Sequence, residues 1–174
     1  MPIEPYLQTV LLLLVSVAAV NDLATRRIPN RLLLAGLACA LLLRLLSGAP
    51  GASLLSALGG LGLGFALFLP FYLLRGMAAG DVKLMAVVGA FTGPHDVFTV
   101  AVLTWCIGGA MALATVILRG RLKLALGNLL DMARTVLGPR LPPAAADGRT
   151  SAGSIPYGVA IAAGTIVMLV RQYG

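Results

Sequence analysis

Apolar runs long enough to cross a bilayer decide most of what this chain can become. Six such segments fall at about residues 5–21, 30–46, 52–74, 81–93, 97–118 and 156–170. A hydrocarbon core of about 30 Å takes roughly 20 helical residues to cross. Inside it every backbone N–H and C=O must be satisfied within the segment, so each run is expected to be a helix. Composition agrees. With 59% hydrophobic and 11% charged residues the chain lacks the material for a soluble surface. The expectation is an all-α polytopic membrane protein with six transmembrane helices, forming one membrane-embedded domain over residues 1–174.

Charge placement excludes some functions and sets an orientation. The net charge of +7 does not point to nucleic acid, because the basic residues sit between apolar spans and form no soluble arm. Eleven of the 13 lysines and arginines fall in the loops after spans one, three and five, leaving only Arg44 and Arg171 for the other side. By the positive-inside rule those loops are cytoplasmic and both termini lie outside. The apolar stretch 6–20 has no basic region before it and no clear small-residue cleavage site after it, so it reads as a retained first helix and not a signal peptide. Cys39 and Cys106 each lie within a span and form no CxxC pair, so they read as two small core residues, with no metal site and no disulfide implied.

Smaller features fill in the layout. Segment 81–93 would rise only about 20 Å as a helix, the shortest of the six. Ser56, Gly60 and Gly64 make a small-xxx-small face suited to close helix packing. Within the cytoplasmic stretch 119–154, residues 122–137 carry one apolar face and are expected to lie as a helix on the membrane surface, and 138–154 to form a tether.

Two of the six acidic residues stand apart. Glu4, Asp96, Asp131 and Asp147 fall in termini or loops, whereas Asp22 ends the first span and Asp81 opens the fourth. Both are placed at the cytoplasmic rim, where ionisable groups usually face a bundle interior or wet cavity. Two carboxyls held close share one proton, giving a base for water and an acid for the carbonyl oxygen. The helix ends suggest Asp81, at an N-terminus, as the carboxylate base and Asp22, at a C-terminus, as the acid. On spacing alone the pair is open to three readings: helix capping and snorkelling, ion or proton transport, and proteolysis.

The residues around both aspartates narrow this. Asp22 followed by Ile28-Pro29-Asn30, then Ala78-Ala79-Gly80-Asp81-Val82-Lys83-Leu84, then Pro156-Tyr157-Gly158-Val159-Ala160-Ile161 resemble, in order, three signatures of the type IV prepilin peptidases. The resemblance covers about residues 10–170. It departs at Ala78, which stands for the first glycine of GxGD; glycine would allow positive φ there, and the alanine is expected to be tolerated.

What the resemblance implies is a GxGD-type intramembrane aspartyl protease bundle in the bacterial inner membrane. Asp22 and Asp81 would be its catalytic pair, cutting the leader from a prepilin or pseudopilin at the cytoplasmic face and serving the pilus or secretion machinery. Larger members carry a four-cysteine zinc region that goes with N-methylation. With two intramembrane cysteines this chain is similar to the small Tad/Flp-type peptidases, and no methyl transfer, metal or cofactor is expected. Gly80 adjoins the catalytic aspartate, Asp81. Pro29 and Asn30 are expected to start the second helix or touch the leader. Lys83 is expected to orient a carboxylate or to snorkel, Pro156 to sit in the first turn of the last helix, and Tyr157 to reach the site. His95 falls in an outer turn with no role assigned. A small ion- or proton-coupled transporter using the same aspartates, and a non-catalytic pilus assembly scaffold, are the competing functions.

Overall fold

The structure, a computed structural model, describes residues 3–74, 76–118 and 156–173. Among these, six helices follow in order: α1 (Glu4–Thr25), α2 (Asn30–Leu45), α3 (Pro50–Leu73), α4 (Ala79–Thr92), α5 (Pro94–Leu118) and α6 (Tyr157–Tyr173). By length and composition α1, α3 and α5 can each cross a membrane. The others are shorter, with 16 residues in α2, 14 in α4 and 17 in α6. The chain divides into two compact units, Met1–Gly108 with Pro156–Gly174, and Gly109–Ile155. Of the second unit only the end of α5, through Leu118, is described. The surface helix expected at 122–137 and the tether at 138–154 lie outside the described residues.

Several helix ends differ from expectation, each for a backbone reason. α1 runs through Thr25, because nothing in Leu23-Ala24-Thr25 interrupts its hydrogen bonds. It stops where Arg26 turns left-handed (φ 55°) and returns its N–H to the Asp22 carbonyl at 3.0 Å. α3 and α5 begin earlier than hydropathy suggests, at Pro50 and Pro94, since proline needs no N–H acceptor in a first turn. Pro156 precedes α6 instead of occupying its first turn, and its carbonyl accepts the Val159 N–H at 3.1 Å. The two cysteines correct another expectation. Cys39 and Cys106 are both exposed, because an outward face turned to lipid is as apolar as a core.

α4 is the enclosed element. Every residue from Leu84 to Phe91 is buried, and α1, α2, α3 and α6 all pack on it. A helix so surrounded needs no face for solvent or lipid, and this one shows no polar stripe between its ends. The small-residue face of α3 meets it as anticipated. A Cβ on Gly60 would collide with the Gly89 carbonyl, and one on Gly64 would sit 2.5 Å from the Met85 oxygen. The backbones of α3 and α4 therefore touch directly.

The far end of α4 is held by two devices. Gly93 takes φ 83°, open to glycine at little cost, and donates its N–H to the Gly89 carbonyl at 2.8 Å. Arg44, from the last turn of α2, donates through Nε to the Ala90 carbonyl at 3.0 Å and through Nη2 to the Phe91 carbonyl at 2.6 Å. These carbonyls belong to the last turn, where a helix has no N–H of its own to offer.

Gly60→Ala is therefore expected to force α3 and α4 apart and cost about 1–3 kcal/mol, as overpacking does. Gly62, two residues on and so on the opposite side of α3, has nothing within 4 Å of its would-be Cβ. Gly62→Ala should leave stability unchanged, and unfolding of the two purified variants in mixed micelles by rising SDS compares them.

Candidate active site

Asp22 lies in the last turn of α1 and Asp81 is the third residue of α4, three positions past the N-cap Ala78 and so not itself the cap. They are 6% and 5% exposed, the two buried ionisable side chains among the described residues. Burial of this kind is costly for a carboxyl unless hydrogen-bond donors replace water. Both have one.

Asp81 finds its donor locally. The N-cap residue Ala78 is extended (φ −80°, ψ 151°), so its N–H turns back to Asp81 Oδ2 at 3.3 Å while its carbonyl accepts the Asp81 N–H at 3.1 Å. This is the backbone half of a capping box. It also explains the alanine: the extended region suits any residue, so this position makes no demand for glycine. Gly80 is half-buried, and a Cβ there would stand 3.4 Å from that of Ile28, which packs the α1–α2 connection onto the first turn of α4.

Asp22 finds its donor 136 residues away. The Gly158 N–H, in the first turn of α6, reaches Asp22 Oδ2 at 2.8 Å in a buried contact. First-turn N–H groups have no acceptor inside their own helix, so the start of α6 is free to bind a carboxylate. Only glycine allows the approach, because a Cβ at 158 would lie 2.9 Å from Oδ2 and 3.1 Å from the Asp22 Cβ. The charge of Asp22 reaches Asp81, and the Tyr157 hydroxyl lies within electrostatic reach of Asp81. Tyr157 is fixed by its neighbours. Its ring meets Phe68 edge-on, 6.3 Å between centroids, and lies over Gly108, where a Cβ would come within 2.7 Å of the ring.

The remaining sequence candidates divide. Pro29 caps α2 (φ −63°, ψ 129°) and Asn30 opens it, in the structural role expected. Lys83 is exposed and donates to Asn30 Oδ1 at 3.2 Å, so it joins α4 to α2 and does not touch either carboxyl. Pro156 sets up the turn that presents Gly158. A third helix end meets the pair, beside the α1 C-terminus at Asp22 and the α4 N-terminus at Asp81. The start of α6 offsets the α1 C-terminus at Asp22, with a hydrogen bond shorter than the one Asp81 accepts. Gly158 was the residue overlooked. Its signal was a glycine kept in the first turn of a helix, directly after Pro156-Tyr157. No group of three or more possible metal ligands occurs among the described residues.

Gly158→Ala should break the buried contact and cost about 1–3 kcal/mol of stability, the range for leaving a buried polar group unpaired. Lys83→Ala removes only an exposed bond and should stay within about 0.5 kcal/mol of the parent. The same SDS titration distinguishes them.

Comparison with known families now bears on this arrangement. The sequence model of the type IV leader peptidase family matches residues 9–113, more than half of the chain and inclusive of Asp22 and Asp81. No curated protein and no solved structure matches the chain.

Proposed function

Since the chain belongs to the type IV leader peptidase family, we propose that it is an aspartyl endopeptidase whose catalytic pair is Asp22 and Asp81, cutting the leader from a Flp-type prepilin. The observation that carries this reading is the pair itself: two buried carboxyls from separate helices, Asp81 within the field of Asp22, with the α6 N-terminus bound to Asp22. A structural cap would need neither the second carboxyl nor the long-range donor.

The chemistry proceeds from the unequal donors. Asp22 accepts the shorter bond, 2.8 Å from the Gly158 N–H against 3.3 Å at Asp81, so in this reading Asp22 is the base and Asp81 holds the shared proton. Asp22 takes a proton from water as the water oxygen attacks the scissile carbonyl carbon. Asp81 gives its proton to the carbonyl oxygen, yielding a gem-diol. Collapse returns one hydroxyl proton to Asp81, and Asp22 passes its own to the departing amine, so the pair regains its starting state. In this reading six helices cross the bacterial inner membrane, and the basic loops after α1, α3 and α5 put the pair at the cytoplasmic rim. The leader of a prepilin is found on that side, and the pilin's own apolar helix would lie beside the bundle in the bilayer.

Co-expression with a leader-bearing Flp prepilin tests this directly. Asp22→Asn and Asp81→Asn should each lower cleavage by at least about 10³-fold, as removal of a group acting in the transition state does. A wild-type rate in either variant would falsify the assignment.

A further inference from the structure

At the end of the helices away from Asp22 and Asp81, the first compact unit holds a cavity of about 550 Å³. That is within the usual range for small-molecule sites. Its polar wall comes from helix ends: Glu4 in the first turn of α1, Arg44 in the last turn of α2, Asp96 in the first turn of α5 and Gln172 near the end of α6.

The charges there are matched but not joined. Arg44 is held against the wall by the Ala90 and Phe91 carbonyls through Nε and Nη2, leaving Nη1 with no acceptor among the described residues. Arg44 feels the charge of Glu4, yet among the described residues the one ion pair within 4 Å is His95–Asp96. A cation and a carboxylate therefore line the same cavity with more than ion-pair distance between them. A zwitterion fits such a gap, its anionic end at Arg44 and its cationic end at Glu4. Asp96 is already engaged by His95 at 2.9 Å and Gln172 at 3.0 Å, so Glu4 is the carboxylate with acceptor capacity to spare.

A second feature says what carries the zwitterion. Gln8 and Leu169 line this cavity and also a groove of about 570 Å³ along α1 and α6. The groove is otherwise walled by residues such as Leu12, Ile166 and Val170, which are 38%, 39% and 64% exposed. An apolar channel that opens from a charged cavity matches an acyl chain attached to a headgroup. It has no use for a free amino acid or inorganic phosphate.

We propose that this is a binding site for one phospholipid bearing a phosphoethanolamine headgroup. Its phosphate accepts from Arg44, its primary ammonium donates to Glu4, and one acyl chain lies in the α1–α6 groove. A primary ammonium is preferred over a quaternary one because it has three N–H donors for carboxylate, while a quaternary ammonium depends on aromatic faces. Among the described residues, Phe91 is the only aromatic one lining the cavity.

The test uses the full chain in detergent, exposed to an equimolar mixture of dioleoyl phosphatidylethanolamine, phosphatidylcholine and phosphatidylglycerol, with retained lipid read by native mass spectrometry. Wild type should retain the ethanolamine lipid about tenfold over the other two, the size of one charge-assisted hydrogen bond. Glu4→Gln should abolish that preference, Val170→Trp should lower retention of all three, and excess glycerophosphoethanolamine should not displace the lipid. Equal retention of the three by wild type overturns the proposal, as does a preference that survives Glu4→Gln. Displacement by the chainless headgroup overturns the lipid assignment. Arg44 is left unsubstituted because it also closes the end of α4, and both variants are compared with wild type in thermal unfolding.

Discussion

A carboxyl group enclosed by apolar helices has no water to turn to, so its hydrogen-bond donors must come from the protein. Helix starts are where unclaimed N–H groups occur, and both aspartates are met by one. Asp81 uses the start of its own helix. Asp22 sits at the finish of α1 and needs a helix that begins where α1 ends. That requirement makes α6 run back along α1, and the two are packed neighbours. A single 2.8 Å bond thus links the first and last described helices across 136 residues.

The enclosed helix answers to a different constraint. α4 has 14 residues, a rise of about 21 Å, too short to span a hydrocarbon core unaided. It does not face that core. With α1, α2, α3 and α6 around it, its last carbonyls meet Arg44 rather than lipid, and its length is set by where Ala78 and Gly93 let it start and stop. Close backbone contact with α3 at Gly60 and Gly89 then fixes how deep it sits. The position of Asp81 follows from the packing of α4, since the aspartate is only three residues into a helix that cannot slide.

Hydropathy made the order and number of the described helices legible, and the motifs around Asp22 and Asp81 made the family legible. What hydropathy could not register was backbone hydrogen bonding. Residue 22 looked like a helix end because it is charged, but α1 continues to Thr25 because its N–H groups still have acceptors. Nor could an apolar run say which side faces inward when lipid and core are equally apolar, which is why Cys39 and Cys106 were placed in the core and are exposed. Arg44 counted only as a stray charge in the topology. Its role as a clamp depends on α2 and α4 ending side by side, a fact of packing that no local pattern in either segment records.

Glycines show most clearly why a motif letter is not a physical reason. Gly93 is needed for its dihedral angle, Gly60 and Gly89 for backbone contact between helices, and Gly158 because its N–H must come within reach of a carboxyl with no Cβ in between. Ala78 replaces a motif glycine, yet its backbone is extended and its surroundings exposed, so none of those three demands applies to it. A departure from pattern at the N-cap of α4 therefore costs this fold little. A departure at position 158 would strike the carboxyl itself, although a short motif centred on the aspartates would never include it.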